Sequence, residues 1–84
     1  MQVTQEQWEL DVENTRKELK AYEMFVAGYE ILVELPENDE TKRRLDYFYL
    51  GNNRQRVAAC RRFLDELIEF GKEMFGVDAS EGSL

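Results

Sequence analysis

Seven of the eleven basic residues fall within residues 42–62: Lys42, Arg43, Arg44, Arg54, Arg56, Arg61 and Arg62, against a single acid, Asp46. Tyr47, Phe48 and Tyr49 lie inside this block, and Asn52 and Asn53 sit beside them. Guanidinium forks match phosphate oxygens and carboxylates, and aromatic faces accept bases. Lys42, Arg43, Arg44, Tyr47, Tyr49, Asn53, Arg54, Arg56, Arg61 and Arg62 are therefore the candidate partner- or ligand-binding residues. The partner is a protein or, alternatively, a phosphate-bearing ligand such as a nucleotide signal or single-stranded nucleic acid. In the ordinary alternative these arginines pair with acids on a neighbouring helix, each pair contributing ~0–1 kcal/mol but setting register.

The block interrupts an acidic protein. It carries a net charge of +6, whereas residues 1–41 carry −8 and residues 63–84 carry −5. Glu6, Glu9, Asp11 and Glu13 near one end, with Asp65, Glu66, Glu69 and Glu73 near the other, could form a negative face that imitates duplex phosphate. Such runs also serve as plain solvated surface.

Other chemistries lack their parts. With no histidine, the chain has no His-centred triad, no His-ligated metal and no neutral-pH proton shuttle. One cysteine forms no intrachain disulfide and no thiolate cluster. Glu30/Glu34 and Glu69/Glu73 have the i,i+4 spacing of carboxylate-bridged metal helices, but those helices also supply an inward Glu-x-x-His motif. Cys60 sits on an apolar stripe with no candidate base and reads as core. No enzyme activity, cofactor or metal is expected.

These residues must be positioned by helices. Trp8, Val12, Thr15, Leu19, Tyr22, Val26, Tyr29 and Val33 recur in alternating steps of four and three, a heptad seam on one helix from about residue 4 to 34. Thr4 and Gln7 resemble a capping box at its start. Within residues 21–35 only Glu23, Glu30 and Glu34 break an apolar run, and their spacing puts them on one stripe toward water. After Leu35-Pro36-Glu37-Asn38-Asp39 a second helix is expected, capped by Asn38 or Asp39. Gly51 is expected to break or kink it, with Asn52 capping a third helix; in the alternative the helix runs straight through and Gly51 costs about 1 kcal/mol relative to Ala. From Arg54 to Phe75, one stripe holds Cys60, Phe63, Leu67, Phe70 and Met74, and a second holds Val57, Leu64, Ile68 and Phe75. Traced backwards, the first stripe passes inward through Arg56, Asn53 and Tyr49, unless Gly51 resets the phase. Gly76 ends the helix, and residues 77–84 read as a mobile tail on a single 1–76 helical domain.

The fold expected is all-α: a long N-terminal helix against one kinked or two consecutive helices, with the helical bundle completed by homo-oligomerisation. So much apolar circumference exceeds what a lone hairpin covers. Trp8, Val12, Leu19, Tyr22, Phe25, Val26, Tyr29, Phe63, Leu67 and Phe70 are the candidate oligomer interface. No apolar run approaches the ~18 residues of a membrane span. Residues 1–20 hold acids where a secretory leader would be apolar. A cytoplasmic protein is expected, in the host cytoplasm if it is viral. Its function is expected to be binding of a partner protein as inhibitor, adaptor or assembly factor, with Tyr47, Tyr49, Arg54 and Arg56 as anchors. The short, acidic, helical composition is similar in style to phage and mobile-element accessory proteins, without a motif to carry it.

Overall fold

A computed structural model describes residues 2–81. Two helices account for most of them: α1, Gln5–Glu34, and α2, Glu40–Phe75, followed by a short 3-10 turn, Ala79–Glu81. They form an antiparallel hairpin, 52 × 25 × 15 Å overall.

The helix ends follow local chemistry. The Thr4 hydroxyl accepts the Gln7 amide at 3.1 Å, while the Gln7 side chain turns forward to Asp11 instead of closing the capping box. The Asp39 carboxylate accepts the Lys42 amide at 2.8 Å and caps α2. Asn38 is not the cap. It is buried under the loop, where its amide donates to the Leu32 carbonyl and to the Asp46 carboxylate, each at 2.8 Å. Gly76 ends α2 with φ 66°, a left-handed cap that a side chain would strain.

The α1 seam falls where the heptad spacing expects it: all eight positions from Trp8 to Val33 are buried or half-buried. Thr15, the polar member, satisfies its hydroxyl on the Asp11 carbonyl at 2.7 Å. Opposite it, α2 contributes Asp46, Leu50, Asn53, Val57, Cys60, Leu64, Leu67 and Gly71, with the same steps of four and three. Two long-range bonds fix the register: Trp8 Nε1 donates to the Leu67 carbonyl at 2.7 Å, and the Cys60 thiol to the Thr15 carbonyl at 3.5 Å.

Three expectations for α2 are corrected. Gly51 does not break it into two helices; α2 runs through, with Leu50, Asn53 and Val57 on either side buried against α1. That packing outweighs the ~1 kcal/mol helix penalty of one glycine. Asn53 satisfies its amide on the Tyr49 carbonyl at 2.8 Å, one turn back. The inward line also mixes the two expected stripes: it takes Cys60 and Leu67 from one and Val57 and Leu64 from the other, leaving Phe63 and Met74 exposed. Arg56 is likewise exposed and not on a buried seam.

The open end of the hairpin holds the tightest packing. Trp8 is 1% exposed and lies with Val12 and Ala79 among Leu64, Leu67, Ile68, Phe70, Phe75 and Val77. Gly71 lies under the indole, so a Cβ there would collide with the ring. From Val77 to the 3-10 turn the chain folds back on this core: Ala79 is buried and its carbonyl accepts from Arg16. The remainder of the expected tail, residues 82–84, lies outside the described residues.

Candidate docking surface

A hairpin with one interior seam has two flanks, and here they differ in kind. On the first flank, Glu23 pairs with Arg61 at 2.9 Å and Glu30 with Arg54 at 3.9 Å, one heptad apart on each helix. Val26, Ala27, Val57 and Ala58 floor a shallow groove of about 350 Å³ between these pairs. Glu23, Glu30 and Glu34 are all exposed, as their stripe was expected to be, and the first two also reach arginines of α2. All four paired side chains are roughly half exposed, so each pair adds little stability.

Turning α1 away from its acids turns its remaining apolar residues outward. Met24 and Ile31 take the heptad position opposite the seam and are 67% and 65% exposed. Phe25 stands beside them on the second flank. Gly28 floors a hollow of about 210 Å³ lined by Met24, Phe25, Tyr29 and Leu32. A Cβ on Gly28 would meet nothing within 4 Å.

Across the hairpin at the same height, α2 shows Leu45, Phe48 and Tyr49. Tyr49 stacks on Tyr29 with ring centroids 5.7 Å apart, and Phe48 meets Tyr49 edge-on at 5.5 Å. Arg56 lies over the Tyr22 ring, 5.6 Å from its centroid. The loop half of the hairpin therefore carries a continuous apolar face, edged by cations.

The basic block does not converge. Arg54 and Arg61 reach Glu30 and Glu23 on one flank, and Arg56 covers Tyr22 on the other. Arg43 donates to the Asn38 carbonyl at 3.1 Å, and Arg44 pairs with Glu40 at 2.6 Å within the first turn of α2, where Lys42 also lies. Arg62 lines a separate hollow with Asp65, Glu66, Glu69, Phe70 and Glu73. The four expected anchors split likewise: Tyr47 and Arg54 fall on the ion-paired flank, Tyr49 and Arg56 on the apolar one. Asn53 is buried in the seam.

The candidate interface residues also divide. Trp8 and Val12 are enclosed by their own chain. Leu19, Tyr22, Val26, Tyr29 and Leu67 are half-buried in the seam, Phe70 is half-buried, and Phe25 and Phe63 are exposed. Met24, Ile31, Leu45 and Phe48 were absent from the expectation. The signal for two of them was present, because a seam through Tyr22 and Tyr29 puts residues 24 and 31 on the far side of the helix.

Both acidic groups fall in the open half, where Glu13 pairs with Lys17 at 3.2 Å and Glu69 with Lys72 at 3.3 Å. The Cys60 thiol is pushed above its usual range by burial first, then by Glu18 and Glu23, so it stays protonated near neutral pH. The exposed Asp78 carboxyl is held below its usual range by hydrogen bonds from the Ser80 hydroxyl and amide, with help from Lys72. Among the described residues no helix is long and apolar enough to cross a membrane. Comparison with protein-family models, curated proteins and solved structures gives no match.

Proposed function

We propose that this chain is a non-enzymatic helical module that works by docking against protein, as an inhibitor, adaptor or assembly factor, with its loop-half apolar face as the contact surface. One observation carries this reading: exposed Met24 and Phe25 share a hollow with Tyr29 on α1, and the Tyr29–Tyr49 stack continues that apolar surface to exposed Tyr49 and Phe48 on α2. Soluble monomers rarely keep a contiguous apolar area beyond a few hundred Å² without a partner to cover it. Homo-oligomerisation is one form of the same docking. The cations at the edge of the face and the acids of the open half give the hairpin a charge asymmetry that suits steered, oriented association.

The phosphate-ligand alternative draws less support from this geometry. A phosphate cradle needs convergent donors, and these arginines are spread around α2 toward Glu23, Glu30, Glu40 and Tyr22.

A photoreactive phenylalanine analogue in place of Phe48, compared with one in place of Lys17, tests the reading in cells expressing the protein. Protein-sized adducts are expected from position 48 and not from position 17. Absence of adducts at both positions, or equal background at both, overturns it.

A further inference from the structure

We infer that the occupant of the loop-half face is a second copy of this chain, laid face to face and antiparallel about a two-fold axis at Gly28. This rests on reading that face as a docking surface, and adds what docks and in which orientation.

Area is the first argument. The exposed side chains of the face, Met24, Phe25, Leu45, Phe48 and Tyr49, are between 44% and 67% exposed. Together they offer on the order of 600 Å², the lower end of the ~600–1,000 Å² per partner of a stable interface. Covering a two-helix layer with a second one gives a four-helix bundle, the usual way for such a hairpin to enclose its apolar sides.

Charge and shape choose the orientation. The face holds no carboxylate, and its cations, Lys42 and Arg56, stand at the rim. The same flank of the open half carries Asp11, Glu18, Glu66 and Glu73. Stacking two hairpins with loops at the same end would lay these acids against each other. Antiparallel overlap lets the open halves project apart and brings Glu18 alongside the basic first turn of α2 in the other copy. The apolar run 21–35 is centred on residue 28, so an axis there overlaps the run with itself. A glycine at that crossing lets two α1 backbones approach, and the hollow above it is open. An isologous pair requires this kind of self-complementarity.

Light scattering at micromolar concentration, solution X-ray scattering and site-directed cross-linking test the inference together. A particle of twice the 10.0 kDa chain mass is expected. Gly28 lies about 14 Å from the loop tip at ~1.5 Å per residue, so two 52 Å hairpins overlapped there span about 75 Å. With Cys60→Ala in the background, G28C is expected to join with itself through a short bis-maleimide, whereas K17C is not. M24E/F25E/F48E is expected to remain helical and revert to the single-chain mass. A single-chain mass for the unaltered protein overturns the inference while leaving the docking reading to its own adduct test. A dimer only about 52 Å long, or one not joined at G28C, overturns the antiparallel geometry.

Discussion

Replacing Gly71 by Ala sets two magnitudes against each other. A glycine inside a helix costs about 0.5–1 kcal/mol relative to alanine. On propensity alone, both Gly51→Ala and Gly71→Ala should stabilise α2. At Gly51 a Cβ meets nothing within 4 Å, so the gain is expected in full. At Gly71 the new methyl collides with the Trp8 indole, which cannot simply slide away. Its Nε1 is bonded to the Leu67 carbonyl at 2.7 Å, and its ring meets Phe75 at a centroid distance of 5.6 Å. Overpacking of this kind costs about 1–3 kcal/mol, and weakening the indole bond adds about 1 kcal/mol. Net, Gly71→Ala is expected to lose about 1–3.5 kcal/mol and Gly51→Ala to gain up to about 1 kcal/mol, each kcal/mol moving Tm by ~4–8 °C at this size. Thermal and urea unfolding followed by circular dichroism, at one fixed protein concentration, measures both. Adding Trp8→Leu should erase most of the Gly71→Ala penalty, a coupling above about 0.5 kcal/mol. Equal stabilisation by the two alanines would refute the packing assigned to the open end.

Three further outcomes are expected. Asp46→Ala removes one of the two acceptors of the buried Asn38 amide and should cost about 1–3 kcal/mol in urea unfolding, with Asp46→Asn costing less because its carbonyl can still accept. Ending the chain at Gly76 removes Val77 and Ala79 from the Trp8 cluster and should cost about 2 kcal/mol, with a red shift of tryptophan emission. The Cys60 thiol, with its folded pKa raised above the ordinary 9.0, should resist maleimide at neutral pH until urea is added. Its contribution to stability is whole below pH 9.0 and is lost as pH rises toward the folded value, so the wild-type minus Cys60→Ala difference in urea midpoint should shrink above that pH.

The two helices differ in how far they can be read from residue types. In α1 every seam position but Thr15 is apolar, so the spacing alone identifies the buried line. The α2 seam includes Asp46, Asn53 and Gly71, three residues that hydropathy assigns elsewhere. Each is inside because a particular neighbour accommodates it: Asn38 for Asp46, the Tyr49 carbonyl for Asn53, and the Trp8 ring for Gly71. Those neighbours lie on other turns or on the other strand of the hairpin, beyond the reach of a local pattern. The same gap explains the apolar face. Met24 and Ile31 fall opposite the seam by spacing alone, but which flank of α1 meets the arginines of α2 is shown only by Glu23 and Glu30 reaching Arg61 and Arg54. The basic block was legible as composition, but its dispersal around α2 depended on the continuity of the helix through Gly51.

The placement of Trp8 gives the molecule a built-in optical reporter. The single indole sits in the open half, while Tyr22, Tyr29, Tyr47 and Tyr49 all belong to the loop half. Emission excited at the red edge therefore watches one extremity, and phenol absorbance watches the other. Comparing the two signals during denaturation tells from which extremity the zipper comes undone.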